Sequence, residues 1–335
     1  MKWCVIGAGG IADRRTIPAL LRDKENELVA VMDRVPEVAK AVGEKYGVPY
    51  FTDEEEMLSQ IPSDAVYIGT PVFCHKRQIE IAVAHGRHIF VEKPIAMNAK
   101  EGEEILNLCK KAGLQLTVGY LMKYHTLHEK AKELICAGEI GDVNSVRVQF
   151  TCWYPDIAGA WRQKKALGGG GALMDLGVHC IELVEFLLDD EIEDVKGMIS
   201  TKTFSYEVED GAIIVFRTKG GVLGHIDVAF NIPDAASESK LELYGTKGYI
   251  QARGTLGQEE TGALTHLYAS QGDYDAAQSR VTHEPKSYVP EGKNLYEYQI
   301  RLFRETVASG KPDYFYAERA VQVQSVVDKI YDEQN

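Results

Sequence analysis

The sequence predicts an α/β protein in which a doubly wound parallel sheet is followed by an α+β domain with a large, mostly antiparallel open sheet. Three observations support this fold class. Continuous apolar runs alternate with helical patterns in the first half, and runs that are half polar dominate the second half. In addition, 335 residues suffice for about two domains of ~100–200 residues each.

Five short runs rich in Val and Ile predict the strands of the first half. Each run is apolar throughout, and such strands are buried on both faces in a parallel sheet that right-handed crossover helices cover. The helical pattern over residues 100–112 is typical of the segments between the runs. The predicted strands are residues 3–6, 28–33, 65–69, 88–92 and 115–119.

The second half changes character near residue 143, where apolar residues begin to alternate with polar ones. This alternation is typical of an antiparallel sheet with one solvent-facing side, and Lys219-Gly220-Gly221 predicts a hairpin turn within it. Apolar residues at helical spacing predict helices over 172–188 and 316–332. The predicted strands are residues 143–153, 211–218, 221–230 and 239–245.

The two textures divide the chain into domains of residues 1–122 and 123–335. Within the second domain, residues 255–290 are rich in Gly, Gln, Ser and Thr and are expected to hold short strands and loops.

The composition is that of a globular protein that does not bind polyanions. Lys and Arg number 37 against 50 Asp and Glu, the net charge is -13, and no basic block occurs, so neither nucleic acid nor an anionic membrane is an expected partner. No apolar run approaches ~18 residues, and the chain opens directly on the first predicted strand, so we expect no membrane span, no signal peptide and a cytoplasmic location. The six cysteines form no C-x-x-C pair and are interpreted as free core thiols.

A glycine-rich turn, Gly7-Ala8-Gly9-Gly10-Ile11-Ala12, follows the first predicted strand and begins the first helix. Gly7 allows the tight turn, Gly9 allows the backbone to approach a pyrophosphate, and Ala12 allows the helix to pack closely on the strand. Asp33 ends the second strand 21 residues after Ala12, the spacing expected of a carboxylate that binds a ribose hydroxyl. The turn therefore predicts that residues 1–122 form a Rossmann-type NAD(P)-binding domain.

The choice between NAD and NADP depends on Asp33 and Arg34. A carboxylate accepts a hydrogen bond from the 2′-hydroxyl of NAD and repels the 2′-phosphate of NADP, so Asp33 favours NAD. Arg34 can contact a phosphate, or it can be a solvated surface charge. NAD is the predicted cofactor, and Arg34 leaves NADP open.

Glu92-Lys93-Pro94 ends the fourth predicted strand, at the sheet edge where doubly wound folds bind ligands. The ammonium group of Lys93 can polarise a substrate hydroxyl, and Pro94 stiffens the backbone beside it. Considered alone, Lys93 is better explained by a strand-end lysine that points to water.

Four glycines, Gly168-Gly169-Gly170-Gly171, lead into a helix that carries Asp175, His179 and Glu182 on one stripe beside its apolar face. We expect His179 to act as a general base and Asp175 to orient its ring, while the glycines let the chain pass close to a cofactor. The alternative is a core histidine that is paired with Asp175. No metal site is expected, since one His with two acids lacks the ligands of a zinc site.

Two further histidines, His125 and His128, are three residues apart, a spacing that can face a metal or a substrate. We interpret them instead as the start of an amphipathic helix.

These motifs together resemble the Gfo/Idh/MocA oxidoreductases. The family pattern is a glycine-rich N-terminal turn, an E-K-P strand end and a G-G-G-x-x-x-D-x-G-x-H segment, and all three occur here in that order. The resemblance extends to Gly69-Thr70-Pro71, Trp161-Arg162 and residues 244–248. It implies that Lys93, Asp175 and His179 are the catalytic residues.

The motifs and the resemblance together imply the binding residues. The predicted cofactor contacts are Gly7, Gly9, Gly10, Ile11, Ala12, Asp33, Arg34, Thr70, Pro71, His75, Glu92, Trp161 and Arg162. The predicted substrate contacts are Lys93, Lys123, Tyr124, Arg162, His179 and Glu182.

Two departures from the family pattern concern the substrate. The family often has Asp at the position of Glu182 and Arg-Phe at the position of Lys123-Tyr124. Residues 208–211 and 294–297 resemble the branch of the family that holds 1,5-anhydrofructose reductase. We expect a neutral sugar or polyol, although a basic pocket around Lys93, Lys123 and Arg162 would suit an anionic sugar.

The predicted function is hydride transfer between nicotinamide and a secondary alcohol or ketone of a sugar, sugar derivative or cyclitol. The resemblance leaves two alternatives open: an NAD-dependent glycosidase or lyase that oxidises a sugar transiently, and a non-catalytic sugar or NAD(P) sensor. A homodimer or homotetramer is also expected, because one face of the antiparallel sheet, carrying Ile214, Phe216 and Phe230, needs a partner.

Overall fold

A computed structural model describes residues 1–269, 276 and 283–334. The chain forms two compact units. The first comprises Met1–Tyr120, Gly159–Gly169 and Tyr296–Asp328, and the second comprises Leu121–Ala158, Gly170–Leu295 and Lys329–Asn335. The domain boundary at residue 122 stays a prediction. That prediction did not place residues 159–169 and 296–328 with the first unit.

The strands of the described residues form one sheet in each unit. In chain order they are β1 Lys2–Ile6, β2 Glu27–Met32, β3 Tyr50–Phe51, β4 Ala65–Ile68, β5 His88–Val91, β6 Leu116–Val118, β7 Val143–Thr151, β8 Ile192–Ser200, β9 Gly211–Thr218, β10 Leu223–Ala229, β11 Lys240–Gly245, β12 Gly248–Arg253, β13 Ala263–Tyr268 and β14 Lys286–Tyr288.

The helices include two with a wide π-helical first turn, Ala12–Thr16 before α1 and Leu173–Gly177 before α8. In chain order they are α1 Ile17–Arg22, α2 Pro36–Tyr46, α3 Glu54–Gln60, α4 His75–Ala84, α5 Ala99–Ala112, α6 Thr126–Cys136, α7 Lys165–Gly168, α8 Val178–Leu188, α9 Leu295–Ala308 and α10 Phe315–Asp332. Short 3-10 turns lie at Val72–Cys74, Met122–Tyr124, Trp161–Gln163 and Asp234–Ala236.

The first unit contains the predicted doubly wound parallel sheet, with strand order β3-β2-β1-β4-β5-β6. All five predicted strands are present, with ends shifted by at most one residue, and the short edge strand β3 adds a sixth. The order reverses between β1 and β4, so the loops that follow these two strands flank the crevice where such sheets bind ligands. The fold therefore places the glycine turn beside Gly69-Thr70-Pro71.

Local sequence explains where the helices of this unit begin and end. The Asn98 side chain accepts a hydrogen bond from the Glu101 backbone N–H at the start of α5, and Gly113 ends the helix with φ of 68°. Asp53 caps α3 in the same way through the Glu56 N–H. These signals match the helical pattern predicted over residues 100–112.

The segment Tyr296–Asp328 belongs to the first unit, where helix α9 packs on the parallel sheet and helix α10 packs on α5. The Phe303 ring on α9 lies 5.0 Å from the Trp3 ring and 5.7 Å from the Phe90 ring, centroid to centroid. The Gln115 side chain also binds the Asp313 backbone through both its amide nitrogen and its oxygen, at 2.8 Å each. A core of strand and helix aromatics thus forms between distant parts of the chain.

The second unit contains an eight-stranded sheet of order β14-β13-β12-β11-β7-β10-β9-β8. Every neighbouring pair is antiparallel except β7 and β10, which confirms the prediction of a mostly antiparallel sheet. Strands β13 and β14 fall in the stretch 255–290; residues 270–275 and 277–282 of that stretch lie outside the described residues.

The prediction of which side chains leave the sheet toward solvent was wrong, because the exposed positions are offset by one residue from the predicted ones. Ile214, Phe216 and Phe230 are buried, because the face on which they lie is covered within the chain by the helical segment that begins at Leu173. Their neighbours Ile213 and Val215 are the exposed apolar residues of β9. Side chains alternate along a strand, so a shift of one position exchanges the two faces.

The six cysteines are all free, as predicted. Cys4, Cys109 and Cys180 are buried, but Cys136 is exposed at the last residue of α6, so it is not a core thiol. None of the helices in the described part of the chain is both long and apolar enough to cross a membrane.

Candidate active site

The glycine turn after β1 is packed so closely against its neighbours that Gly7 and Gly9 have no room for a side chain. A Cβ atom on Gly7, which has φ of 78°, would lie 2.7 Å from Thr70 Cγ2 and 2.9 Å from the Gly69 backbone carbon. A Cβ on Gly9 would lie 3.0 Å from Val38 Cγ1. The bare backbone of this turn fits a cradle for a pyrophosphate, as the sequence predicts.

Backbone N–H groups hold the carboxylate of Asp33, the residue that is predicted to bind the cofactor ribose. Its Oδ2 accepts a hydrogen bond from the Gly9 N–H at 3.1 Å, and its Oδ1 accepts one from the Val35 N–H at 3.0 Å. Each carboxylate oxygen retains capacity for a further donor, such as a ribose hydroxyl. Arg34 is exposed beside it, Ile11 is half-buried, and Ala12 is buried against the sheet.

His75, predicted to contact the cofactor, lies in the interior of the first unit with only 1% of its surface exposed. Its Nδ1 is 3.0 Å from the Pro94 carbonyl oxygen, and its Nε2 is 3.1 Å from the Thr70 carbonyl oxygen. Burial lowers the pKa of His75 to about 4, so the ring is neutral at pH 7. The ring lies between the Thr70-Pro71 loop and the Glu92-Lys93-Pro94 strand end, and in its neutral form it donates a hydrogen bond to one of the two carbonyl oxygens. Its predicted cofactor contact stays a prediction.

Glu92 and Lys93 follow β5 at the carboxyl edge of the parallel sheet. The Tyr67 hydroxyl donates a hydrogen bond to Glu92 Oε1 at 2.6 Å. Burial raises the pKa of Glu92, and this effect is opposed by the Tyr67 hydrogen bond and by the positive charges of Lys93 and Arg162. A Cβ on Gly119 would lie 3.2 Å from the Glu92 carboxylate, so a glycine after β6 makes room for it.

Trp161 and Arg162 lie in the part of the first unit that the chain reaches after β7. They form a 3-10 turn, and the Arg162 guanidinium carbon is 4.3 Å from the Trp161 ring. Burial raises the pKa of Glu92, and the positive charges of Lys93 and Arg162 both act to lower it. Arg162 therefore lies near the same edge of the sheet as Lys93.

Asp175 and His179 lie on the helix predicted over residues 172–188, which is present as the π-helical turn Leu173–Gly177 followed by α8. Asp175 is half-buried and His179 is buried. The π-helical turn widens the spacing that an ordinary helix would give, and such turns occur frequently at functional sites. Both residues belong to the second unit, whereas Lys93 belongs to the first.

Glu182 forms a buried ion pair with Lys123, a contact that the sequence did not predict. Lys123 Nζ lies 2.6 Å from Glu182 Oε1, and the two side chains are 2% and 4% exposed. Lys123 Nζ also lies 5.0 Å from the centre of the Tyr124 ring. The positive charge of Lys123 is therefore matched within the protein, and its predicted substrate contact stays a prediction.

His125 and His128 serve structure, as the interpretation of a helix start predicts. His125 caps α6 by accepting the Leu127 N–H at 3.1 Å. His128 is buried between the Met122 carbonyl oxygen at 2.7 Å and Thr255 Oγ1 at 2.9 Å. Among the described residues, no group of three or more His, Cys, Asp or Glu side chains could hold a metal ion.

Glu209 is a residue of the site region to which the sequence analysis gave no role. Its carboxylate oxygen Oε1 accepts hydrogen bonds from the backbone N–H groups of Gly171 and Leu173, where the helix of Asp175 begins. The run of four glycines was the available signal, since such a run marks a close approach of some other group, but it does not say which.

A Rossmann unit with a glycine cradle and a fixed acid, in one chain with a helix that carries Asp175 and His179, defines the class as a nicotinamide-nucleotide oxidoreductase. Comparison with known families agrees. Residues 1–120 match the family model described as "Oxidoreductase family, NAD-binding Rossmann fold", and residues 128–251 match the "GFO/IDH/MocA C-terminal domain". The chain belongs to the Gfo/Idh/MocA oxidoreductase family.

Similar proteins include sugar reductases and dehydrogenases. A 1,5-anhydro-D-fructose reductase of Ensifer adhaerens is 27% identical over 314 residues, 93% of this chain and 90% of that protein. A D-xylose 1-dehydrogenase (NADP(+)) of Haloferax volcanii is 27% identical over 333 residues, 99% of this chain and 97% of that protein.

Solved structures share the whole fold. The structure of GenD2 from gentamicin A biosynthesis, in complex with NAD, has a TM-score of 0.83 at 26% identity and covers 99% of this chain and 93% of that chain. An aldose-aldose oxidoreductase from Caulobacter crescentus, complexed with glycerol, has a TM-score of 0.87 at 24% identity, covering 99% and 96%.

Proposed function

We propose that this oxidoreductase transfers a hydride between nicotinamide and a secondary alcohol or ketone of a sugar, sugar derivative or cyclitol. The observation that carries the proposal is the pair Asp175 and His179, four residues apart on one helix, in a chain that also keeps Lys93 at the carboxyl edge of its NAD-binding sheet. The full-length similarity to a 1,5-anhydro-D-fructose reductase and a D-xylose 1-dehydrogenase supports the sugar class.

Each of the three residues has a chemical role in this proposal. His179 accepts the proton of the substrate hydroxyl during oxidation and returns it during reduction, and Asp175 orients the imidazole or shares its proton. Lys93 stabilises the negative charge that develops on the substrate oxygen. The nicotinamide, when bound, supplies or accepts the hydride.

The proposed cofactor-holding residues are those that form the cradle in the first unit. Gly7 and Gly9 form a tight turn in which a side chain would clash with Thr70 or Val38, the kind of turn that binds a pyrophosphate, and Asp33 is held by the Gly9 N–H where a carboxylate would accept from a ribose 2′-hydroxyl. This arrangement favours NAD over NADP. We therefore expect a higher kcat/KM with NAD, and Arg34, which is exposed, is the residue whose substitution would reveal any use of NADP.

The proposed substrate is neutral. Of the three cationic residues that were predicted to surround it, Lys123 is paired with Glu182 inside the second unit and Arg162 lies close to Glu92 inside the first. Pairing of this kind lowers the attraction for an anionic group, while hydroxyl groups can still exchange hydrogen bonds with both partners.

The test is a panel of free sugars, cyclitols and glycosides, followed by absorbance at the nicotinamide band with NAD and with NADP. Net NADH formation on a free sugar or polyol is the expected result. Cleavage of a glycoside without added cofactor would show that transient oxidation is the activity instead. Tight NAD(P) binding with no turnover on any compound would identify a sensor.

We further propose a cytoplasmic location and self-association. All six cysteines are free, as in proteins of reducing compartments. The outer face of the second sheet exposes apolar side chains on three adjacent strands, which suits an interface between copies of the chain. These residues are Met198, Ile213, Val215 and Leu223.

A further inference from the structure

We propose that Glu209 is a positioning residue for catalysis, because its carboxylate, held by Tyr331, fixes the first turn of the helix that carries Asp175 and His179. This inference rests on the proposed function, since Asp175 and His179 are the groups that it positions. All the residues involved belong to the second unit.

One residue satisfies three successive N–H groups at the start of this helix. Glu209 Oε1 accepts hydrogen bonds from the Gly171 N–H at 2.9 Å and the Leu173 N–H at 3.0 Å, and its backbone carbonyl accepts the Ala172 N–H at 3.0 Å. The first N–H groups of a helix have no partner within the helix, and a nearby side chain usually caps them. Here no local side chain caps the helix start. Glu209, which is more than 30 positions away in the sequence, accepts these hydrogen bonds instead.

The glycines before the helix are required by this contact. A Cβ atom on Gly171 would lie 2.0 Å from the Glu209 carbonyl oxygen, and one on Gly170 would lie 1.9 Å from the Tyr331 hydroxyl oxygen. Neither distance is possible without movement of the backbone or of the Tyr331 ring. The last two glycines of the run, Gly170 and Gly171, therefore have a reason within the second unit that does not depend on a cofactor.

Tyr331 holds the carboxylate in place. Its hydroxyl donates a hydrogen bond to Glu209 Oε1 at 2.8 Å. Burial and the neighbouring negative charge of Glu209 keep the pKa of Tyr331 well above its usual value, so the hydroxyl remains a donor at neutral pH.

The hydrogen bond between Glu209 and Gly171 influences the position of Asp175 through the backbone. The Gly171 N–H is held by Glu209, and the Gly171 carbonyl oxygen accepts the Asp175 N–H at 2.9 Å. A displacement of Gly171 therefore moves Asp175, and with it the turn that precedes His179. A displacement of about 1 Å in catalytic geometry can cost on the order of 100-fold in rate.

The experiment compares Glu209→Leu, which removes the acceptor oxygen, and Tyr331→Phe with a matched control, Glu185→Leu. Glu185 is also a buried carboxylate on the same helix, and it accepts the Ile192 N–H at 2.9 Å, but it lies near the opposite end from Asp175. Two quantities are measured: the pH profile of kcat, and the titration of His179 followed by NMR of ¹³C-labelled histidine in the absence of substrate.

In Glu209→Leu we expect kcat to fall roughly 10- to 100-fold with an unchanged KM for NAD, and the titration of His179 to shift. Tyr331→Phe should show the same changes to a smaller extent, and Glu185→Leu should match the wild type in both readouts. An unshifted His179 titration with wild-type kcat in both Glu209→Leu and Tyr331→Phe would overturn the proposal. If Glu209→Leu does not fold, Tyr331→Phe decides by the same two readouts.

The two hypotheses fail in different ways. A wild-type protein without turnover on the substrate panel removes the proposed function. The NMR titration needs no substrate, so it still decides whether Glu209 controls the environment of His179.

Discussion

Lys93 follows β5, beside Glu92, whose carboxyl accepts a hydrogen bond from the Tyr67 hydroxyl at 2.6 Å. We expect Lys93→Ala to lower kcat about 100-fold, because the variant loses a positive charge that stabilises the transition-state oxyanion. NAD binding should be retained, since Asp33 and the glycine turn are unchanged. Steady-state kinetics and titration of NAD by fluorescence measure the two effects.

Lys76→Ala is the control for this prediction. Lys76 lies in the same unit on α4 and forms an ion pair with Glu104 at the surface. Its removal should leave kcat unchanged. Equal turnover in Lys93→Ala and the wild type would remove Lys93 from the catalytic residues.

His75 gives the first unit a stability that depends on pH. The unfolded chain binds a proton near the ordinary pKa of 6.5, whereas the folded chain binds it only near 4, because burial opposes the charged ring. Between these values the unfolded state holds more protons, so stability rises with pH through this window and is complete above it. The gain is roughly 3 kcal/mol when the window has been crossed.

Substitution of His75 tests this dependence. In His75→Asn, the free energy of unfolding should rise less steeply with pH between about 4 and 6.5, by up to one proton in the slope. Urea unfolding followed by circular dichroism at several pH values gives the slopes. His128, with its pKa lowered to about 3, contributes with the same sign in both proteins. Identical slopes would contradict a neutral, buried His75 in the folded state.

The sequence predicts the individual residues of the candidate site but not the groups that hold them in place. Asp33, Lys93, Asp175 and His179 follow from motifs, because each motif ties a residue type to a strand end or a helix turn. The roles of His75 and Glu209 depend instead on backbone groups that come close only after folding. No spacing in the sequence encodes such contacts.

The turn Met122–Tyr124 and the helix α8 are joined by the ion pair of Lys123 and Glu182, at 2.6 Å. We expect Lys123→Met to destabilise the protein by about 3–5 kcal/mol, because it leaves a buried carboxylate without its charge partner. The double variant Lys123→Met with Glu182→Leu should be more stable than the single one, since both charges are removed together.

Chemical unfolding of the wild type, the single variants and the double variant measures this coupling. The pair Lys130 and Glu133 on α6, at 2.7 Å on the surface, is the control, and breaking it should change the stability little. Strictly additive effects of Lys123→Met and Glu182→Leu would show that the two elements are not coupled through this pair.

At the scale of elements, strands and helices were predictable because their apolar periodicity is regular. The π-helical turn at Leu173–Gly177 was not, since it depends on the wide backbone hydrogen bonds at the helix start and not on the side-chain pattern. The exposed face of β9 was assigned wrongly, because Ile213, Ile214, Val215 and Phe216 are all apolar and an unbroken apolar run does not tell the two faces apart.

At the scale of the whole molecule, the chain returns to its first unit near the C-terminus. Phe303 packs on Trp3, at the far end of the sequence, with ring centroids 5.0 Å apart. Periodicity predicts a helix over residues 316–332, which is α10, but it did not predict α9 and does not indicate which unit these helices join. The sequence division at residue 122 therefore could not include the segments 159–169 and 296–328.

The exposed apolar residues on the outer face of the second sheet predict that the chain self-associates. Met198 on β8, which is 79% exposed, lies opposite Ile213 on β9, and charges of both signs, such as Arg217 and Asp194, lie on the same two strands. A patch with apolar residues and charges of both signs can be complementary to itself about a two-fold axis. We therefore expect the wild type to be a homodimer or homotetramer at micromolar concentration.

A double variant, Ile213→Lys with Val215→Lys, should shift the protein to monomers, because it places four like charges in a two-fold interface. Size-exclusion chromatography with light scattering measures the mass directly. Val289→Lys is the matched control, since Val289 is 75% exposed but lies outside the strands that form this face. A wild-type monomer, or a double variant with the wild-type mass, would show that this face is not the interface.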